Sequence, residues 1–173
     1  MPSSADAAMS KTEKPRAGAP DVAMPPALKT GVEPAFAWSV AMVAGTDVGS
    51  LARERVRSAL MDGRWQGNVD KATRVAKQLV DNAANHGEFF PDGTITLRLI
   101  VDAETRELLI EVEDARHDFP GFAEAANQSG SVVGRPKGLW WVAHYKGRLS
   151  WDVKKGDDGE AVGKTVQVVL PVS

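Results

Sequence analysis

Two pairs of strand-like segments, each joined by a polar connection, constrain the fold of this chain more than any other feature. Thr94–Val101 and the segment from Leu108 to Glu113 are rich in branched and apolar residues and are separated by the turn-like Asp102-Ala103-Glu104-Thr105. A second pair, from Arg148 to Val153 and from Thr165 to Val172, surrounds a polar, glycine-rich loop. Consecutive strands with links this short pair as antiparallel neighbours, whereas a doubly wound parallel sheet needs a helical crossover between them.

The rest of the chain must cover that sheet. Phe36, Trp38, Val40 and Met42 alternate with small or polar residues, as a half-buried strand requires. Thr46 or Asp47 can cap a helix running to about Met61, with Val48, Leu51, Val56 and Leu60 as its apolar positions. A second helix spans about Val69 to His86, and Gly87 stands where a C-terminal cap belongs. From Asp114 to Arg135 there is no clear period apart from a short piece at 122–127, and a short helix is predicted from about Gly138 to Tyr145. The order β, α, α, β, β, long loop, α, β, β implies an α+β two-layer sandwich, a mixed and mostly antiparallel sheet with helices on one face.

Residues 1–34 hold six of the ten prolines and no periodic apolar residues, which predicts a flexible tail ahead of one domain over 35–173. Within that domain a stretch of this length without periodicity, taken as 115–137, is either functional or disordered. The 173 residues include no cysteine, which excludes disulfides, thiolate metal sites and a cysteine nucleophile. A net charge of -2 gives no bulk attraction for nucleic acid or an anionic membrane. With no apolar run near the ~18 residues that span a bilayer and no signal-type segment, a cytoplasmic location is expected.

The second helix carries the most informative residues. Ala72, Ala76, Leu79, Val80 and Ala83 form its buried face, while Gln78, Asn82 and Asn85 gather within roughly 60° on one flank. Asn and Asp weaken a helix interior because their side chains compete for backbone hydrogen bonds. Asp81, Asn82 and Asn85 within one turn and a half therefore mark either a fraying last turn or a functional strip.

The string Gln78-Leu79-Val80-Asp81-Asn82-Ala83-Ala84-Asn85-His86-Gly87 resembles the asparagine box of the GHKL ATPases. It looks closest to the anti-sigma-factor serine kinases of actinobacterial type, whose pattern reads Glu-Leu-Val-x-Asn-Ala-x-x-His-Gly. The resemblance implies the Bergerat, or histidine-kinase-like, ATPase fold. It implies that Asn82 holds the Mg²⁺ bridging the nucleotide phosphates, a task suited to a hard amide oxygen. It puts Gln78 at the position of the catalytic Glu, and a neutral amide cannot accept a proton.

Three further segments match the same family in order. The strand ending at Asp114, with Pro120 six residues on, resembles the box whose Asp accepts from the adenine amino group, although its usual glycines are absent. Gly134-Arg135-Pro136-Lys137-Gly138-Leu139 resembles the second glycine box, where backbone N–H groups at a helix start meet phosphate. Gly163-Lys164-Thr165 resembles the last box, in which Thr165 would help hold the adenine end. By resemblance, the stretch 115–137 is the lid, and nucleotide contacts fall to Asn82, Asn85, His86, Asp114, Gly134, Lys137, Gly138, Leu139 and Thr165.

The implied function is an ATP- and Mg²⁺-binding regulator of transcription that binds a sigma factor, an anti-sigma-factor antagonist, or both, and can form a homodimer. Its kinase chemistry would be impaired at Gln78. The alternative is a nucleotide-free pseudoenzyme acting as a protein-interaction domain, favoured by Arg116, Pro136 and the missing glycines. A sensor-kinase catalytic domain would need a phosphoacceptor histidine on a dimerisation helix, for which the sequence offers no candidate.

Overall fold

The computed structural model describes residues 33–120, 122 and 139–173. Five strands form one sheet: β1 (Phe36–Val43), β2 (Thr94–Val101), β3 (Leu108–Asp114), β4 (Arg148–Lys155) and β5 (Ala161–Leu170). Their order is β1-β2-β3-β5-β4, and every neighbouring pair is antiparallel. The α+β sandwich implied by the sequence is therefore present, with a sheet that is wholly antiparallel among the described residues. The helices are α1 (Val48–Asp62), α2 (Val69–His86) and the short α3 (Trp140–His144).

Alternation assigns the two faces of the sheet. Ile95, Leu97, Leu99 and Val101 of β2, Leu108, Ile110 and Val112 of β3, and Val166, Val168 and Leu170 of β5 are all buried in one core with α1 and α2. Leu79, 1% exposed, and Val75, Ala76 and Val80 supply the helical side of that core. Burying one such side chain contributes roughly 1.5–3 kcal/mol. The small residues Ala72, Ala76 and Ala83 let α2 lie close to the sheet and to α1.

The opposite face is polar and cross-linked. Arg98 Nη1 donates to Glu111 Oε1 at 3.0 Å and to Glu113 Oε2 at 3.3 Å. Gln167 Nε2 donates to Glu111 Oε2 at 2.6 Å, and Lys154 Nζ lies 3.3 Å from Glu113 Oε1. These contacts satisfy carboxylates that sit mid-sheet and would otherwise be stranded.

Helix starts follow the expected chemistry. Asp47 accepts from Ser50 N at 3.4 Å, and Asn68 accepts from Lys71 N at 3.0 Å, so each caps its helix. Between β2 and β3, Asp102 Oδ1 accepts from the backbone N–H groups of Glu104 and Thr105 at 2.8 and 2.7 Å, which shapes the turn. Trp65 Nε1 donates to Arg106 O at 2.8 Å and ties the α1–α2 connection to that turn.

Several boundaries differ from the sequence expectation. β5 begins at Ala161 rather than Thr165, because β4 extends to Lys155 and pairs with it through a register shift at Lys154/Lys155. α3 is two residues shorter at its start than expected. The expected tail, the 122–127 piece and most of the 115–137 lid lie outside the described residues.

Candidate functional site

β3 ends at Asp114 on the helix side of the sheet, where its carboxylate is fully buried. Strand register places Lys164 of β5 directly opposite. Lys164 is 3% exposed, and its Nζ donates to Asp114 Oδ1 at 3.0 Å. The same oxygen accepts from Arg116 N at 2.9 Å, while Oδ2 is buried with no hydrogen-bond partner. A buried carboxylate oxygen without a donor is costly enough to call for a functional account.

Glycines let the surrounding backbone come this close. A Cβ on Gly87 would lie 2.7 Å from Asp114 Cγ and Oδ1, and a Cβ on Gly163 would collide with the Asp114 carbonyl. Gly87 has φ -94°, so it is required here for clearance rather than for the left-handed cap conformation that the sequence suggests. The connection out of α2 then runs alongside the end of β3, with Ala115 N donating to Glu88 O at 2.7 Å.

Arg116 closes this end of the site. Its Nη1 donates to His86 O at 2.8 Å and its Nε donates to Asp118 Oδ1 at 2.6 Å. The guanidinium hydrogen bond, followed by its charge, holds the Asp118 carboxyl below its ordinary range, and the same pairing raises Arg116. Phe119 lies under the Lys164 ammonium, 5.7 Å from Nζ to the ring centre. It also stacks edge-on with Phe122 and near Trp151.

The polar strip of α2 runs from Lys71 and Arg74 through Gln78 and Asn82 to Asn85. Its first half faces α3: Arg74 Cζ sits 4.3 Å from the Trp141 ring centre, and Lys71 Nζ 5.5 Å from that of Tyr145. Gln78 and Asn82 are half-buried, and Asn85 and His86 are exposed. Among the described residues no hydrogen bond engages the side-chain amides of Gln78, Asn82 or Asn85. The helix runs regularly through all three to His86, so the strip does not belong to a frayed turn.

Trp140 and Trp141 both remain half-buried, and Val142 is the residue of α3 that enters the core. Trp140 stacks on His144 with centroids 4.5 Å apart. Leu139 packs into the core just before α3.

Thr165 is not brought to the site. Alternation along β5 turns its side chain to the opposite face, where Oγ1 donates to Glu113 Oε2 at 3.5 Å. The residue that reaches Asp114 from this segment is Lys164, to which the motif assigns no role. Period-two alternation with Val166, Val168 and Leu170 puts Lys164 on the core face, and the strand has to be taken as starting before Thr165 for that signal to be read. Gly134, Lys137 and Gly138 lie outside the described residues.

Neither a protein-family model nor a characterised relative matches this chain. Six chains among the solved structures do, one of them titled a mycobacterial sensor histidine kinase, MprB. The two share 20% sequence identity with a TM-score of 0.43, over 78% of this chain and 97% of that chain. A likeness at that level assigns neither an activity nor residue roles.

Proposed function

We propose that this chain is an ATP-binding regulatory domain of the anti-sigma-factor type, acting by binding its protein partner rather than by phosphorylating it. The observation that carries the nucleotide half of this reading is the Asp114 carboxylate. One oxygen is fixed by Lys164 and the Arg116 backbone, and the other is buried, oriented and unpartnered. That is a built acceptor for a single N–H donor such as an adenine amino group.

The second half of the reading rests on α2. Asn82 offers a hard amide oxygen suited to Mg²⁺, and Gln78 and Asn85 flank it on the same strip. Among the described residues no group of three or more His, Asp or Glu side chains can hold a metal ion. An ion at Asn82 would therefore draw further ligands from phosphate oxygens, and it would neutralise phosphate charge there. Gln78 would orient a nucleophile by hydrogen bonding but cannot take its proton. A sigma factor or an anti-sigma-factor antagonist is the partner class that the sequence resemblance supports.

Calorimetric titration of the full chain with Mg-ATP tests the proposal. Saturable binding that is lost in Asp114→Asn and weakened in Asn82→Ala is the expected result. Asp114→Asn also strands the Lys164 ammonium, so the Asn82→Ala arm keeps the test decisive if the first variant unfolds. The absence of both heat and thermal shift with ATP would sink it.

A second reading is favoured by a specific observation. The Lys164–Asp114 ion pair and the Arg116 bridge together give the site an internal closure of its own. A nucleotide-free interaction domain would use that closure as structure, and it would show partner binding unaffected by ATP.

A further inference from the structure

Asp114 and Lys164 form a matched pair of unfilled hydrogen-bonding positions. The ammonium has three N–H donors. One meets Asp114 Oδ1 at 3.0 Å and a second reaches the Arg116 carbonyl at 3.4 Å, which leaves one over. Beside it, Asp114 Oδ2 is an acceptor without a donor. Both groups are almost completely buried, and the Phe119 ring lines the ammonium.

A buried acceptor with a cationic donor next to it is complementary to a planar edge that presents a donor beside an acceptor. The 6-amino group and N1 of adenine are such an edge, whereas a 6-oxo purine presents the reverse order. We propose that Lys164 is a base-specificity residue that donates to N1 of adenine while Asp114 Oδ2 accepts from the 6-amino group. The inference rests on the nucleotide reading above and adds to it a residue that reads the base.

Titrations of the full chain with ATP, 1-deaza-ATP (in which a C–H replaces N1) and GTP test it, with Lys164→Met as the paired variant. A hydrogen bond to a charged group is worth enough to change affinity about tenfold or more. The native chain is expected to bind 1-deaza-ATP at least about tenfold more weakly than ATP. In Lys164→Met the two nucleotides should bind alike. The native comparison needs no folded variant. Equal binding of ATP and 1-deaza-ATP by the native chain, or tighter binding of GTP, overturns the role of Lys164 while leaving nucleotide binding intact. Failure of ATP to bind at all overturns this inference together with the reading beneath it.

Discussion

Gly87 stands against Asp114 so closely that a single added carbon would lie 2.7 Å from the carboxylate. The same carbon would lie 2.7 Å from the Ala83 carbonyl, which is fixed helix backbone. The end of α2 and the end of β3 are thus held at a spacing that only glycine allows.

Gly87→Ala should therefore destabilise the domain by about 1–3 kcal/mol through overpacking. Urea denaturation measures the loss, and a titration at a temperature where the variant is folded should also show weaker ATP binding. A variant with unchanged stability would mean that the two ends separate at no cost.

The buried ion pair makes a second prediction. Asp114→Asn leaves the Lys164 ammonium buried without a counter-charge, a change that costs roughly 3–5 kcal/mol. Combining it with Lys164→Met should recover much of that loss, because no charge then remains buried. A double-mutant cycle by thermal denaturation reads the coupling, and additive losses would count against the pair.

Gln78 separates binding from chemistry. Gln78→Glu is expected to raise ATP hydrolysis, or phosphoryl transfer to a cognate antagonist, above a near-zero native level while changing nucleotide affinity little. Radiolabelled γ-phosphate follows both reactions. Robust native activity would show that the amide is no obstacle.

A pH titration tests the Arg116 bridge. The Asp118 carboxyl sits below its ordinary value, so its pairing contributes above the usual carboxylate pKa and is lost as pH falls through the lowered value. In Arg116→Ala the Asp118 midpoint, followed by carboxyl-carbon NMR, should move up towards the ordinary range. An unchanged midpoint would remove the bridge from the account.

Much of the fold was legible because its signals are local. The α2 limits, the alternation of β1 and the cap at Asp47 all follow from residues within a few positions of each other. The candidate site was legible only in part. Asn82 stands out as a poor helix former inside a long helix, and Asp114 through the motif at the end of its strand. Lys164 does not, since its meaning depends on a neighbour fifty residues away and on which face of β5 it occupies. Thr165 shows the same limit in reverse: a motif records spacing along the chain, and a strand inverts the side at each step. Gly87 suggests backbone freedom from its place after α2, whereas its role is one of space.

The strand order has a consequence for how the chain assembles. β2 and β3 form one hairpin and β4 and β5 another, the β3–β5 edge is the seam that joins them, and β1 is added to β2 after the chain has passed through α1 and α2. Each hairpin can form from near neighbours, but the β3–β5 seam and the β1–β2 pairing must each close a large loop before returning any contact energy. Sheet pairing at such separation is slow. Refolding should accordingly be limited by one of these two closures: Val168→Ala on β5 slows folding if the seam is limiting, and Val40→Ala on β1 does so if the β1–β2 pairing is. Stopped-flow measurements distinguish the two. The Asp114–Lys164 contact, at the site end of the seam, is then a late latch in assembly as well as the candidate base-reading pair.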